Sequence, residues 1–182
     1  MQSYIILLVT SNVRVFMFIG HLPAGYVTAK LLLKYFKNSG VSARFFVLAG
    51  ALGAVAPDFD MFYFYLVDNR QHNHHTYWPH YPGLWLVLLS LASLWFKFAH
   101  QKIRPVLALI FSIGGFVHIL LDTIVGDIWW FAPFIDKPFA LFTVPALYTP
   151  WWLNFILHWS FTLEILVFVW SVLLWHQKSV SP

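Results

Sequence analysis

The stretch PVLALIFSIGGFVHILLD, residues 105–122, decides the fold class of this chain. It is apolar almost throughout, and its two ionisable residues, His118 and Asp122, come near its end. An α-helix rises about 1.5 Å per residue, so a helix of this length crosses most of the ~30 Å hydrocarbon core of a bilayer. The stretch therefore predicts a membrane-spanning helix with a His/Asp pair close to one membrane surface.

The composition of the whole chain agrees with a membrane location. Of its 182 residues, 60% are hydrophobic and only 10% are charged, whereas soluble domains have about 45–50% and about 25%. The 20% of aromatic residues suits membrane interfaces. The chain has no cysteine, which excludes disulfides and thiolate metal ligands. Its net charge of +4 comes without a long basic run, so we expect no nucleic-acid partner.

Further apolar blocks predict more helices. Residues 83–96 and 151–175 are predicted to be membrane spans. Two weaker blocks, at 13–36 and 44–56, are predicted to be short, tilted or partly buried helices. Residues 129–150 contain four prolines and predict an aromatic-rich loop at the interface. We therefore expect an all-α polytopic membrane protein of about four to five helices, with a His/Asp site at one membrane face.

The chain is expected to form a single integral membrane domain over residues 1–182. Its first residues do not resemble a signal peptide, because no charged segment precedes their apolar part. Met17 opens the stretch MFIGHLPAGY and offers an alternative translation start. With that start, residues 1–16 would be an extraneous N-terminal extension.

The positive charges predict the orientation. If the spans alternate in direction, eight of the eleven Lys and Arg residues lie on one side, which the positive-inside rule makes cytoplasmic. The opposite side then carries the polar segment 57–82 and the loop 127–150. We therefore expect an inner-membrane protein of a bacterium, with the acids and histidines on the non-cytoplasmic side.

Two carboxylates stand close together in APDFD, residues 56–60. Because Pro57 biases Ala56 away from helical backbone, the segment is expected to be extended, which would point Asp58 and Asp60 to the same side. Neighbouring carboxylates repel each other unless a cation or a proton lies between them. The alternative is a capping aspartate beside a solvated one at the end of a span.

Histidines supply the remaining polar residues of interest. His75 and His80 are five residues apart with a proline between them, which suits a loop; they could also be ordinary interfacial residues. His118 and Asp122 are at i and i+4, and therefore neighbours on one helical face. An ionisable pair inside a span is a functional hypothesis by default, although a plain hydrogen bond between helices is the alternative. His21 lies near the outer end of the first helix.

Together these residues form a set of nitrogen and oxygen ligands from four separated segments. The candidate metal ligands are His21, Asp58, Asp60, His75, His80, His118 and Asp122. Such a set suits Zn²⁺, with Mn²⁺ or Fe²⁺ as alternatives, and is large enough for one or two ions.

The motifs GHLPAGY, APDFD, HTYWPH and HILLD, in that order, resemble the YdjM-type family of membrane-bound metal-dependent hydrolases. The resemblance covers about Met17 to Asp127. Where that family has a PDID-like motif, this chain has Asp58 and Asp60, and where it has an HRGxTHS-like motif, this chain has His75 and His80. Thr76 and Tyr81 replace the Arg and the Ser of that motif. The resemblance implies a metal-dependent hydrolase that retains the candidate ligands.

A metal-assisted hydrolysis is therefore the expected activity. The metal would activate a water that attacks a phosphoester or another ester. Asp58 or Asp60 would accept the proton, and Arg70 or His74 would stabilise developing negative charge. Membrane lipids are the expected partners, and a lipid-linked or phosphorylated molecule is the expected substrate; the oligomeric state is left open.

The rival interpretation is a non-enzymatic membrane protein that binds or conducts a metal ion or a proton. Its support comes from His158 and Glu164 in the last apolar block, because ionisable groups reaching both membrane faces would favour transport. Transporters usually contain internal repeats, and the sequence contains no recognisable one.

Overall fold

The computed structural model describes residues 19–150 and 152–177 of the protein. These residues form seven α-helices and five short 3-10 turns, which confirms the predicted all-α fold. The helices are α1 His21–Leu32, α2 Ala43–Gly53, α3 Asp60–Leu66, α4 Pro82–Phe98, α5 Ile103–Asp122, α6 Trp152–Ile156 and α7 Trp159–His176. The prediction of an alternative start at Met17, with residues 1–16 as an extension, lies outside the described residues.

Among the described helices, α5 and α7 are long and apolar enough to cross a membrane. A third crossing would combine α2 with residues Pro57–Leu66, which continue from it after a bend of 56°. Helix α4 is apolar but slightly shorter, at 17 residues. The predicted spans at 83–96 and 105–121 correspond to α4 and α5.

The prediction of one continuous helix over 151–175 is wrong. The chain breaks between α6 and α7, where His158 has an extended backbone (ψ 144°) and its side chain accepts a hydrogen bond from the backbone N–H of Ser160. His158 is thus the N-cap of α7. Because the residues on both sides of the break are equally apolar, hydropathy alone does not reveal it.

Helix α5 is the centre of the bundle and packs against α1, α2 and α4, while α1 also contacts α2 and α7. Glycines allow the backbones to approach closely, as in other membrane helix pairs. A Cβ added at Gly114 on α5 would lie 2.3 Å from the carbonyl oxygen of Gly50 on α2. A Cβ added at Gly53 would lie 2.0 Å from the carbonyl oxygen of Phe111. This close crossing brings the end of α2 against the polar end of α5.

Alanine at Gly114 is expected to destabilise the protein by about 1–3 kcal/mol, because the new methyl group must push two backbones apart. Gly83 is a matched control, since a Cβ there meets no atom within 4 Å. Thermal unfolding in detergent should therefore show a lower midpoint for Gly114→Ala and an unchanged or higher one for Gly83→Ala, because alanine favours helix over glycine. Equal midpoints for the two variants would contradict the tight crossing.

The expectation of extended backbone at APDFD is also wrong. Ala56 is helical (φ −62°, ψ −36°), and Pro57–Phe59 form a 3-10 turn that leads directly into α3. Proline fits the first position of such a turn, where its missing N–H removes no hydrogen bond. As a result the two carboxylates face different surroundings: the side chain of Asp58 is 38% exposed, whereas that of Asp60 is 3% exposed.

The segments that flank the candidate site are irregular. Residues 74–76 and 78–80 form two short 3-10 turns between α3 and α4. Residues 129–150 contain no helix, which confirms the predicted aromatic-rich loop. Its start is fixed by an isolated antiparallel bridge between Ile128 and Phe139. These turns and this loop enclose the end of α5 that carries His118 and Asp122.

Candidate metal centre

Four side-chain atoms from three segments converge at the end of α5. They are Oδ1 of Asp58 in the turn before α3, Nε2 of His80 in the turn before α4, and Nε2 of His118 and Oδ2 of Asp122 on α5. His80 and His118 are fully buried, and Asp122 is 3% exposed. Only Asp58 is partly open to the surroundings, so it marks the accessible side of the cluster.

Five of the six separations among these four atoms suit a shared cation, and His80, His118 and Asp122 form one compact group. His80 Nε2 lies 3.3 Å from His118 Nε2, and Asp122 Oδ2 lies 2.9 Å and 3.7 Å from His118 and His80. Asp58 Oδ1 lies 3.7 Å and 3.8 Å from the same two nitrogens. Ligands at about 2.0–2.2 Å from a tetrahedral Zn²⁺ are roughly 3.3–3.6 Å apart. The five separations bracket that range.

The hydrogen bonds behind the histidines determine which ring nitrogen is protonated. His118 Nδ1 is 2.7 Å from the carbonyl oxygen of Ala54, and a carbonyl can only accept, so Nδ1 carries the proton. His80 Nδ1 is 2.6 Å from Oδ2 of the buried Asp60. A neutral ring protonated at Nδ1 presents a bare lone pair at Nε2. In neutral rings of this tautomer the two Nε2 atoms would face each other and two carboxylates as acceptors, and a cation or a proton between them would relieve the repulsion.

Asp60 contacts the cluster through His80 rather than directly. Its Oδ2 accepts the hydrogen bond from His80, and its Oδ1 is buried without a hydrogen-bond partner among the described residues. A carboxylate behind a ligating histidine is the usual arrangement in metal sites, because it fixes the ring orientation and raises the basicity of the free nitrogen.

His75 supplies a third imidazole beside the cluster. Its Nδ1 donates to the carbonyl oxygen of Asp127 over 3.1 Å, and its Nε2 lies 3.6 Å from Asp122 Oδ2. Burial is the main reason why the pKa values of His75 and His80 lie below their usual range. Both rings are therefore neutral near pH 7, the state that binds metals and accepts protons. The ring of His74 lies 4.1 Å from that of His75, between centroids.

His21 connects the outer oxygens of the two site carboxylates. Its Nε2 is 3.0 Å from Asp122 Oδ1, and its Nδ1 is 3.5 Å from Asp58 Oδ2. Its ring also stacks on His118, with the centroids 3.8 Å apart. His21 is the first residue of α1, so the position of that helix sets the position of both carboxylates.

Glu164 on α7 lies behind the start of α1. Its Oε2 accepts a hydrogen bond from the backbone N–H of Ile19 over 2.9 Å, and it is 1% exposed. A carboxylate is favourable at a helix N-terminus, where backbone N–H groups are unpaired. Glu164 and the N-cap His158 therefore both serve helix starts, and Glu164 holds the helix that carries His21.

Arg70 and His72 lie on the exposed turn that follows α3. The Arg70 guanidinium is 5.7 Å from the centre of the Tyr65 ring. His72 Nδ1 is 2.6 Å from Asp68 Oδ1, and the backbone N–H of His72 also bonds Asp68, which lowers the pKa of this carboxyl to about 2. His72 is therefore engaged in a surface pair, while His74, His75 and His80 from the same stretch are buried.

Sequence reasoning missed the groups that orient the histidines. The acceptors for His118 and His75 are the backbone carbonyls of Ala54 and Asp127. Backbone acceptors have no residue-type signal, so no motif points to them. Gly126 offers a partial signal, because a Cβ there would lie 2.8 Å from Cε1 of His75.

Comparison with known proteins gives one match. The family model described as YdjM inner membrane protein matches residues 16–180. Searches of the curated proteins and of the solved structures gave no significant match.

Proposed function

The chain belongs to the YdjM inner membrane protein family, and from this membership and its buried His/Asp cluster we propose that it is a membrane-embedded metal-dependent hydrolase. One observation carries the proposal: the bare Nε2 atoms of His80 and His118 lie 3.3 Å apart beside two carboxylates. A metal cation between these atoms would satisfy all of them at once.

The proposed ligands are Asp58, His80, His118 and Asp122, holding one ion. Two imidazoles and two carboxylates suit Zn²⁺ better than Mn²⁺ or Fe²⁺, which favour more ligands and more oxygen. When bound, the cation would take a water as a fifth ligand, lower the pKa of that water towards ~7 and polarise a phosphoryl or carbonyl oxygen. Asp60 orients His80, and His21 holds the outer oxygens of Asp58 and Asp122.

His75 is the residue that we assign to proton transfer. Its Nε2 is bare, and its Nδ1–H is fixed by the Asp127 carbonyl, which is the arrangement of a general base oriented by a third group. This assignment replaces Asp58 and Asp60 as proton acceptors, because one is a proposed ligand and the other is engaged with His80. His74 and Arg70 keep the proposed role of stabilising negative charge, with His74 closer to the cluster.

The hydrolase proposal predicts zinc-dependent release of product. Purified protein in lipid nanodiscs should release phosphate or a phosphorylated head group from phospholipids or polyprenyl phosphates, measured by mass spectrometry. The release should stop after chelation and return with Zn²⁺. A protein that binds zinc at one ion per chain, yet releases nothing from phosphoesters or carboxylic esters, would contradict hydrolysis and favour the non-enzymatic alternative.

The contacts of Glu164 Oε2 and of His158 argue against a conducting path through the last helix. Both side chains bond helix N-termini, whereas a conducting path needs groups free to exchange ions or protons.

The proposed orientation puts the cluster on the non-cytoplasmic side of a bacterial inner membrane. The chain has no cysteine, so single cysteines can be introduced at Gln71, beside the cluster, and at Gln101, in the turn between α4 and α5. Both positions are exposed. In intact cells a membrane-impermeant thiol reagent should label Gln71→Cys and leave Gln101→Cys unlabelled. The reverse pattern would place the cluster on the cytoplasmic side.

A further inference from the structure

A groove of about 890 Å³ opens beside the metal centre. Its size is within the roughly 300–1,000 Å³ of small-molecule sites. Among its described lining residues only Asp60 is charged, and most of the others are aromatic or aliphatic. The lining includes Phe59, Tyr63 and Trp78 from α3 and the adjoining turns, and Trp85, Leu88 and Phe111 from α4 and α5.

The groove runs from the cluster along the membrane-spanning part of the bundle. Phe111 precedes His118 by seven residues on α5, which corresponds to roughly 10 Å along the helix axis. Leu88 is about 9 Å along α4 from its start at Pro82. At that depth hydrocarbon surrounds the helices, so the far end of the groove lies where lipid chains are the local solvent. The near end has exposed aromatic side chains, including Trp78 and Phe59, as expected at an interface.

The floor of the groove is held rigidly. Trp85 is buried, and its indole N–H donates to the carbonyl oxygen of Pro79 over 2.7 Å. Its ring lies against Gly115, where a Cβ would come within 2.0 Å of the ring carbon Cζ3. Because α5 has no side chain at that position, the indole lies flat and the groove stays open.

Asp60 joins the groove to the metal centre. It lines the groove, and its Oδ2 accepts from His80. Its Oδ1 is buried without a hydrogen-bond partner among the described residues. An occupant of the groove therefore lies beside the cluster at Asp60 and meets mostly aromatic and aliphatic groups elsewhere.

We propose that this groove binds the hydrocarbon chain of the substrate, a membrane lipid whose phosphorylated head reaches the cluster past Asp60. The identity of the phosphorylated head group rests on the proposed hydrolase function. The binding of the hydrocarbon chain rests on the groove alone. The occupant is the acyl chain of a phospholipid, because a groove of about 890 Å³ can enclose such a chain, whereas the longer isoprenoid of a polyprenyl phosphate would exceed it.

Photo-crosslinking of the full-length protein in nanodiscs tests this assignment. One probe is a phosphatidyl lipid with a diazirine near the end of its acyl chain, and the other is a polyprenyl phosphate with a diazirine on its isoprenoid chain. After irradiation, mass spectrometry locates the labelled peptides. Preferential labelling of the groove by the acyl-chain probe supports the proposal. Labelling by the isoprenoid probe that equals or exceeds it, or labelling by neither probe, overturns the proposal.

Leu88→Trp should fill the groove, and Leu86→Trp is its control, because residue 86 is on the nearly opposite face of α4 and is 48% exposed. Each methylene of the bound chain that the indole displaces should lower the affinity for that chain roughly fourfold. Displacement of two methylenes should therefore lower groove labelling by roughly fifteenfold. The control should stay within about twofold of the unmodified chain. Equal labelling of both variants would indicate contact with bulk lipid only and would overturn the proposal.

His118→Ala separates the two claims. It removes a proposed ligand without touching the groove lining. Groove labelling that persists in this variant supports the chain site independently, even if no hydrolysis is ever found. Loss of labelling in this variant, with unfolding excluded by its thermal midpoint, would contradict a chain site formed by the groove itself.

Discussion

Replacing His118 with alanine is expected to lower the affinity for Zn²⁺ by more than about a hundredfold. A four-ligand zinc site contributes roughly 10–16 kcal/mol, so one ligand is worth about 3 kcal/mol, or over a hundredfold. The coordination shell of the ion would also be incomplete, with only Asp58, His80 and Asp122 left as protein ligands. Competition with a chelator of known affinity, on detergent-purified protein, measures the change.

His100→Ala is the matched control for this variant. His100 is exposed in the turn between α4 and α5, far along the bundle from the end of α5 that carries the cluster. The zinc affinity of the His100→Ala variant should equal that of the unmodified protein. Both variants should insert into the membrane normally, because the apolar face of α5 is unchanged. Wild-type zinc affinity in His118→Ala would remove His118 from the ligand set.

Replacing His75 with alanine is expected to lower turnover by roughly 10²–10⁴-fold while the zinc content stays at the wild-type level. The reason is that a positioned general base contributes that much to a proton transfer, whereas His75 is not among the four proposed ligands. Turnover is measured on the phosphoester or ester that the unmodified protein hydrolyses, and zinc content is measured on the same samples.

His72→Ala is the control, because the His72 side chain is 67% exposed and pairs with Asp68 on the surface. It should keep both turnover and zinc content. If His75→Ala loses its zinc together with its turnover, His75 is a ligand and the base must be sought elsewhere.

The pairing of His118 with Asp122 at the end of α5 could be predicted from the sequence, because it depends on helical periodicity alone. His118 and Asp122 are one turn apart in any α-helix, and the observed separation of 2.9 Å between Nε2 and Oδ2 follows from that spacing. The apolar blocks likewise predicted the all-α fold, because hydrophobic length is a direct property of sequence.

The different roles of Asp58 and Asp60 could not be read in the same way. The bias that Pro57 imposes on Ala56 predicted extended backbone, but packing of the turn against the bundle overrides it. The helical turn rotates Asp58 towards the accessible side and buries Asp60 behind His80. A two-residue spacing has opposite consequences in extended and helical backbone, so the wrong local conformation predicted both carboxylates as ligands, whereas Asp60 instead supports His80.

The hydrogen bonds that orient the histidine rings of the cluster also could not be predicted from the sequence. They depend on the carbonyl oxygens of Ala54 and Asp127, which are placed by the α2–α5 crossing and by the loop after α5. These are properties of backbone position, and every residue type carries the same acceptor. The break before α7 is a similar case, since His158 is an unusual N-cap within a uniformly apolar run.

X-ray absorption at the zinc edge of the zinc-loaded, unmodified protein tests the central claim most directly. It reports the number, distance and type of atoms around the ion without knowledge of a substrate. Four protein nitrogen and oxygen neighbours and one water oxygen at about 2.0–2.2 Å, with the outer-shell scattering of two imidazole rings, are the predicted result. A shell of six oxygens, or a spectrum without imidazole scattering, would contradict a cation held by Asp58, His80, His118 and Asp122.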